Sequence, residues 1–397
     1  MPRRPCPLKF GVAYRPANAP AFHAADYLTV WLGSHSLRHG NGFNPNHHGR
    51  MLDVVRAEGS TAVFYAYIIA MLARSKSKLR DCDVGEPSLC VHGADFIRQN
   101  EPTILALYEE FANETALRLG GQAQVVWLIE PDFVQYHAET QRGGGLSQHA
   151  MLSLFDRIVR RIKLHLPAAK VSLDVSPWVA GIEAWLRPFL ERNDVDYLHT
   201  SGGRTTAASP QIKAAHDLTW SQLHTLSGRG TIADTGYGVG GAGGAGADPR
   251  LDAAWLDAAH LRARIADGVV AVTQVSPRAG WEAALPALRA SLPPALHCFG
   301  SAAEHARRHG QQRQHRTSAH GGGGTVTAEV LLHGRAGRLR NHTYSHSRGR
   351  NHTGLMLRGR NHTRGNHSHS QGFRNRGNHT RLRVQAARPL PENVVVY

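Results

Sequence analysis

The hydrophobic pattern of residues 1–300 alternates between two periods. Short apolar runs rich in Val, Ile, Tyr and Trp predict strands that are buried on both faces. Between them lie longer segments whose apolar residues recur at helical spacing, which predicts helices. The predicted strands are Lys9–Tyr14, Tyr27–Leu32, Thr61–Ile69, Gln124–Ile129, Lys170–Val175, Val195–Thr200, Thr231–Asp234 and Val269–Val275.

Predicted helices fill most of the gaps between these strands. They are Arg50–Glu58, Glu101–Leu119, Leu146–Leu166, Val179–Glu191, Gln211–Leu226, Leu251–Ile265 and Trp281–Leu292. Eight strands separated by helices predict an α/β fold, a (β/α)8 TIM-like barrel in regular or distorted form. A doubly wound open sheet is the alternative, but no glycine-rich phosphate fingerprint follows the first strand.

Charge is distributed unevenly along the chain, whose net charge is +16. Residues 301–397 contain 17 Arg, no Lys and three acidic residues, so the rest is nearly neutral. We predict a barrel domain over 1–300, a hydrophilic linker over 301–324 and a low-complexity tail over 325–397. Because the positive charge belongs to the tail, it does not indicate nucleic-acid binding by the barrel domain.

The tail repeats the tripeptide Asn-His-Thr or Asn-His-Ser, beginning at Asn341, Asn351, Asn361, Asn366 and Asn378. Its few apolar residues cannot bury a core, which predicts a disordered basic segment. Binding of polyanions through its Arg residues and loose metal binding through the 12 His of residues 301–397 are the alternatives. Each tripeptide is an N-glycosylation sequon if the chain enters a secretory pathway, and Asn113-Glu114-Thr115 is another.

The four cysteines predict two disulfides. Cys82 and Cys90 bracket a short loop, which favours a local bond. Cys6 and Cys298 lie at opposite ends of the barrel domain, and a closed barrel brings its ends together. Disulfides indicate an oxidising compartment, so we expect a secreted protein, although residues 1–9 show no signal peptide. Four unpaired thiols are the alternative. No apolar run is long enough to span a membrane.

Acidic residues follow several of the predicted strands. Glu130 and Asp132 follow the fourth strand, Asp174 lies on the fifth, Asp234 ends the seventh, and Asp81 follows the third at some distance. Catalytic groups of such barrels lie at the C-terminal ends of the strands. Carboxylates on strands one or two positions apart are separated by ~5 or ~9–10 Å, which suits glycoside hydrolysis. All five are therefore candidate catalytic residues, and a helix cap or loop ion pair is the alternative for each.

Aromatic and polar side chains at the same level predict a sugar-binding surface, because flat rings stack on sugar rings. The candidate substrate-binding residues are Trp31, Tyr67, Trp178, Tyr237, His199 and Gln274. Core packing is the alternative for each aromatic ring. A histidine-rich segment over 35–48 lacks the spacing of a catalytic metal motif, so we expect no metal and no cofactor.

Five short motifs follow one another in a characteristic order. They read TVWL (Thr29–Leu32), RDC (Arg80–Cys82), IEPD (Ile129–Asp132), LD (Leu173-Asp174) and IADTG (Ile232–Gly236). This order resembles glycoside hydrolase family 6, the cellobiohydrolases and endoglucanases with a distorted barrel. The resemblance implies that Asp81 is the general acid, that Asp132 supports its protonation and that Asp234 is the base or charge partner.

Together these features predict an enzyme that hydrolyses a β-glucan such as cellulose. The expected partner is a polysaccharide substrate, with no membrane and no nucleic acid, and the expected state is a monomer. The alternative is a non-catalytic carbohydrate-binding or cell-wall protein on the same barrel scaffold.

Overall fold

The computed structural model describes residues 6–82, 84–177, 179–192, 194–200, 205–213, 217–234, 254–273 and 281–298. Within these ranges eight parallel strands form a closed barrel, in which each strand pairs with the next and the last pairs with the first. The strands are β1 Lys9–Ala13, β2 Tyr27–Leu32, β3 Thr61–Ala66, β4 Val126–Ile129, β5 Lys170–Val175, β6 Tyr197–Thr200, β7 Gly230–Asp234 and β8 Val269–Thr273. The predicted (β/α)8 fold is confirmed.

Helices surround the barrel. The α-helices are α1 Arg50–Glu58, α2 Ile68–Ser77, α3 Leu89–Leu119, α4 Gln148–His165, α5 Ile182–Leu190, α6 Trp220–Ser227, α7 Ala258–Ala266 and α8 Trp281–Ala290. Two 3-10 helices cover Pro16–Ala24 and Phe133–His137, and a short π-helix covers Pro45–Gly49. The predicted linker and tail lie outside the described residues.

Burial explains why these strands read as continuous apolar runs. All six residues of β2 and all six of β5 are buried, because one strand face meets the barrel interior and the other meets the helices. The helices cover that outer face with stripes at helical spacing, as α4 does with Met151, Leu154, Phe155, Ile158, Val159 and Ile162.

Several helices differ from the prediction, among them α7, which begins at Ala258 and not at Leu251. The run Thr61–Ile69 was expected to be one strand, but β3 ends at Ala66 and α2 begins at Ile68. The helix α3 begins at Leu89, well before the expected start near Pro102, because apolar residues on both sides of this proline pack into the core. The helix α6 was predicted to begin at Gln211, but it begins at Trp220, because Thr219 and Gln222 form a capping box there.

Large side chains fill the barrel interior. A Cβ atom on Gly11 would lie 1.8 Å from the ring of Tyr27, so only glycine leaves room for this ring on the neighbouring strand. Nearer the C-terminal ends of the strands, the hydroxyl of Tyr65 on β3 bonds the hydroxyl of Thr273 on β8. Since β3 and β8 are not neighbours, this bond crosses the interior.

Both predicted disulfides are present. Cys82 bonds Cys90, with the Cα atoms 5.2 Å apart, and Cys6 bonds Cys298, with the Cα atoms 4.9 Å apart. The sequon at Asn113 lies inside α3, where Thr115 is buried and its hydroxyl donates to the carbonyl of Phe111. Across the described ranges, no helix combines the length and apolar character that crossing a membrane requires.

Candidate active site

The strand register brings acids and a histidine together at the C-terminal end of the barrel. Asp174 on β5 pairs with His199 on β6, and Asp234 on β7 pairs with Thr273 on β8. Thr273 faces the interior, as its bond to Tyr65 shows, so Asp234 on the neighbouring strand faces it too. Asp174 and Asp234 lie two strands apart, a backbone separation of ~9–10 Å.

Asp132 is held by Asp174. Its backbone N–H donates to Oδ2 of Asp174 at 2.9 Å, and the hydroxyl of Ser176 donates to the same oxygen at 2.8 Å. Asp174 is 2% exposed, whereas Asp132 is only half-buried. Asp132 has φ of +62°, a left-handed conformation that side-chain-bearing residues rarely adopt. The bond from Asp174 therefore stabilises an unusual backbone at the end of β4.

His199 lies behind Asp174 and is 1% exposed. Its Nδ1 lies 3.0 Å from Oγ of Ser172, and its Nε2 lies 3.7 Å from Oδ1 of Asp174. Burial lowers the pKa of His199 to about 3, so the ring is neutral at ordinary pH. His199 was predicted to bind substrate, and the structure places it in the barrel interior.

Asp81 directly precedes Cys82, where the loop that the Cys82–Cys90 bond closes begins, and its carboxylate pairs with the guanidinium of Arg74. The side chains of Arg74 and Asp81 are 31% and 42% exposed. Arg74 also lies over the ring of Tyr67, 5.3 Å from its centroid. Burial, followed by the negative charges of Asp132 and Asp81, raises the pKa of Tyr67 well above its ordinary value. Both Asp132 and Asp81 therefore lie near enough to Tyr67 for their charges to affect its pKa.

Glu130 is turned away from these groups and is fully buried. Its Oε1 accepts the N–H of Ile69 at 2.8 Å and lies 2.7 Å from the hydroxyl of Tyr108. Ile69 is the second residue of α2, whose own N-cap residue, Tyr67, provides no side-chain cap. Burial raises the pKa of Glu130 to about 8, against the opposing effect of the N–H groups at the start of α2. This geometry is that of a helix cap.

Asp234 is also buried, at 2% exposure. Its backbone N–H donates to Oγ1 of Thr200 at 2.9 Å, and its carbonyl accepts a bond from the hydroxyl of Thr205. These bonds tie the end of β7 to the last residue of β6 and to the segment that follows β6. The carboxylate lies on the barrel axis side, but it is not part of the half-exposed group around Tyr67.

Three aromatic rings form a packed cluster beside Asp132 and Asp81. Trp31 stacks on Tyr65 with ring centroids 5.0 Å apart, and it meets Tyr67 edge-on at 5.6 Å. Trp31 and Tyr67 are 7% and 6% exposed, so most of each ring contacts protein. The remaining candidate substrate-binding residues, Trp178, Tyr237 and Gln274, lie outside the described residues.

Several residues of the site were not predicted. Arg74, Tyr65, Ser172 and Ser176 contact the candidate acids and aromatic rings, and His48 lies 3.2 Å from the carbonyl of Trp31 through Nε2. One sequence pattern indicates which of these residues lie near Asp174. At every second position from β5 into the residue after it stand Ser172, Asp174 and Ser176, and this spacing places them on one face of the strand.

The donor set of the site does not resemble a metal centre. Among the residues that the structure describes, no three His, Cys, Asp or Glu side chains are grouped so as to hold a metal ion.

The chain matches no model of a known protein family, and no curated protein matches its sequence. Among solved structures it is similar to an endo-β-1,4-mannanase double mutant of Cellulomonas fimi, at 12% identity and TM-score 0.48, covering 72% of this chain and 70% of that chain. A psychrophilic family 10 endo-β-1,4-xylanase gives 11% identity and TM-score 0.42, covering 68% of this chain and 86% of that one. Morphinone reductase gives 12% identity and TM-score 0.42, and the match covers 69% of this chain and 80% of that one.

These similarities concern barrels of different activities, and at such identities they do not bear on the reaction. The resemblance to glycoside hydrolase family 6 therefore stays a prediction from the motifs.

Proposed function

We propose that the protein hydrolyses glycosidic bonds in a β-linked polysaccharide, with a cellulose-like β-glucan as the substrate class. The observation that carries the proposal is the placement of Asp132. It is a half-exposed acid three residues after the end of β4, and a buried carboxylate, Asp174, fixes its backbone. Asp81, also partly exposed, is a second acid whose negative charge raises the pKa of Tyr67. Two carboxylates around a bond are the usual requirement of glycoside hydrolysis.

Asp132 is proposed as the proton donor. Its half-exposed side chain can reach a bound substrate, while the bond from its N–H to the buried Asp174 fixes its backbone. The proton of Asp132 passes to the glycosidic oxygen as the bond to the anomeric carbon breaks.

Asp81 is proposed as the base. Its pairing with Arg74 holds the carboxylate in position, and its exposure leaves room for a water molecule. The water attacks the anomeric carbon and gives its proton to Asp81. These roles reverse those that the family 6 resemblance implies for the two residues, while Asp174, Glu130 and Asp234 serve as buried supports.

The second candidate is a non-catalytic carbohydrate-binding protein on the same scaffold. Burial of the other strand-end acids favours it: Asp174 and Asp234 are each 2% exposed and Glu130 is fully buried. A barrel with fewer accessible acids has fewer groups that can reach a substrate. Either function suits an oxidising compartment outside the cell, where structural disulfides are common.

The full chain can be tested for release of reducing sugars from cellulose, mixed-linkage glucan, xylan and chitin. The proposal expects release from a β-glucan, and loss of that release in Asp132→Asn with circular dichroism unchanged. Co-sedimentation with the same polysaccharides, without release by the wild-type protein, would instead support the binding protein. Equal release by wild type and Asp132→Asn would contradict the assignment of the proton donor.

A further inference from the structure

A buried histidine lies behind the acids of the site and takes no part in the reaction proposed above. The polar groups that lie near the two ring nitrogens of His199 both come from β5, the adjacent strand. Ser172 Oγ lies 3.0 Å from Nδ1, and Asp174 Oδ1 lies 3.7 Å from Nε2. One strand therefore faces both ring nitrogens, with the two contacting residues separated by a single position.

The tautomer of His199 follows from these two neighbours. The ring is neutral, because burial lowers its pKa to about 3. A neutral imidazole has one N–H and one bare nitrogen. When the carboxyl of Asp174 is ionised it can only accept, which places the proton on Nε2, the nitrogen that faces Asp174, and lets Nδ1 accept from the hydroxyl of Ser172. At 3.7 Å the contact with Asp174 is longer than a hydrogen bond, so it acts as a dipole directed at the carboxylate.

The two oxygens of Asp174 have different environments. Oδ2 accepts from the N–H of Asp132 and from the hydroxyl of Ser176, whereas Oδ1 faces Nε2 of His199. Donors on one side and the histidine dipole on the other resist rotation of the carboxylate. The orientation of Asp174 in turn fixes Asp132, whose backbone has φ of +62° and needs a partner outside its own segment.

We propose that His199 is a positioning residue, which holds the backbone of Asp132 in place through Asp174. The proposal rests on the proposed function only in that Asp132 is the proton donor. Its structural part, the control of the Asp132 backbone, holds whether or not the protein is a hydrolase.

Hydrogen exchange tests the structural part on the full chain. His199→Phe keeps a ring without nitrogens, and His199→Gln restores an N–H donor at the position of Nε2. We expect the Asp132 amide to exchange at least about tenfold faster in His199→Phe, and within about threefold of wild type in His199→Gln. Thr115→Val is the matched control, since it removes a buried hydroxyl on α3 that bonds the carbonyl of Phe111.

Ser172→Ala is the second variant, for the case in which His199→Phe does not fold. It removes the hydroxyl that fixes the tautomer, and it should also accelerate exchange at Asp132. Wild-type exchange at Asp132 in a folded His199→Phe protein, or in Ser172→Ala if the first variant does not fold, would overturn the proposal. Acceleration of the same size in Thr115→Val would also overturn it, because the effect would then be general.

Kinetics separates this proposal from the proposed function. If the wild-type protein releases sugar, His199→Phe should lower kcat by about 10- to 100-fold with KM within about twofold, and His199→Gln should recover most of kcat. If the wild-type protein releases no sugar, the proposed function fails, and hydrogen exchange alone decides the positioning role.

Discussion

The backbone N–H of Asp132 donates a 2.9 Å hydrogen bond to Oδ2 of Asp174, and this bond connects the ends of two neighbouring strands. It also separates two kinds of acid in the barrel. Asp174 is buried and its carboxyl group bonds other groups of the protein, whereas the side chain of Asp132 is half-exposed. An acid at a strand end is therefore a better catalytic candidate when its carboxyl group is exposed than when it is buried and hydrogen-bonded within the protein.

The roles of Asp132 and Asp81 are distinguishable by the leaving group of the substrate. A proton donor matters for a sugar leaving group, and much less for a dinitrophenolate, which leaves without protonation. We expect Asp132→Asn to lower kcat on a β-glucan by about 10²- to 10⁴-fold, yet to cleave a dinitrophenyl glycoside at a rate near that of wild type. Asp81→Asn should be slow on both substrates.

Glu139→Gln provides the control for this comparison, since Glu139 is an exposed acid in the segment after Asp132. Its rates on both substrates should match those of wild type. The reverse pattern, with Asp81→Asn rescued by the good leaving group, would restore the roles that the family 6 resemblance implies.

Glu130 predicts a dependence of stability on pH. Burial raises its pKa to about 8, from an ordinary value of 4.5. Between these values the folded protein holds a proton that the unfolded chain has lost. The contribution of Glu130 to the free energy of unfolding therefore falls as pH rises from about 5 to 8. Glu130→Gln keeps an acceptor for Ile69 and does not ionise, so this decline should be absent from the variant.

Urea unfolding at pH 5 and pH 8 measures the difference. Relative to wild type, Glu130→Gln should gain on the order of 3 kcal/mol between the two pH values. Glu139→Gln is again the control, because replacing an exposed glutamate should leave the pH dependence of stability as it is in the wild-type protein. Parallel curves for wild type and Glu130→Gln would show that Glu130 is ionised in the folded protein at both pH values.

Arg74 is expected to set the position of Asp81. It pairs with this carboxylate and lies over Tyr67, and a lysine cannot reproduce both contacts. Arg74→Lys should therefore lower kcat/KM by about tenfold, which corresponds to the loss of one exposed ion pair and one cation–π contact. Arg187→Lys changes an exposed pair with Glu183 on α5 and should have no effect. An unchanged kcat/KM in Arg74→Lys would mean that charge alone suffices.

The two disulfides are expected to contribute unequally to stability. In the chain-entropy view, a cross-link stabilises by restricting the unfolded chain, and more so for a longer loop. Cys82 and Cys90 are eight positions apart, whereas Cys6 and Cys298 are 292 apart. Replacing the first pair by serine should cost about 2–3 kcal/mol and replacing the second about 5 kcal/mol. Guanidinium unfolding of the two double variants gives the order, and a larger cost for the short loop would contradict it.

The fold was predictable where the signal is local. Lys170–Val175 is bounded by a helix before it and Pro177 after it, and its predicted limits are those observed. The boundary between β3 and α2 was not predictable, because the apolar run continues through it. The group that caps α2 is Glu130, which lies 61 positions beyond Ile69 in the chain, so no local pattern marks the start of this helix.

The candidate site was predictable in position but not in role. The sequence places Glu130 and Asp132 equally at the end of β4, and their spacing predicts nothing about which is buried. Glu130 is buried against the start of α2 and Tyr108, whereas Asp132 is half-exposed, and these contacts are distant in the chain. The bond between Asp174 and the N–H of Asp132 likewise joins residues 42 positions apart, so it forms only when β4 and β5 assemble.

The bond between Cys6 and Cys298 gives the barrel domain a property that its strands alone do not have. With this bond the covalent path from Cys6 through all eight strands and back to Cys6 is a ring, which has no ends. A single protease cut in an exposed turn, such as that at Gly120-Gly121, would leave one molecule rather than two fragments. The same ring can be opened at that turn by circular permutation, with the order of the strands around the barrel preserved.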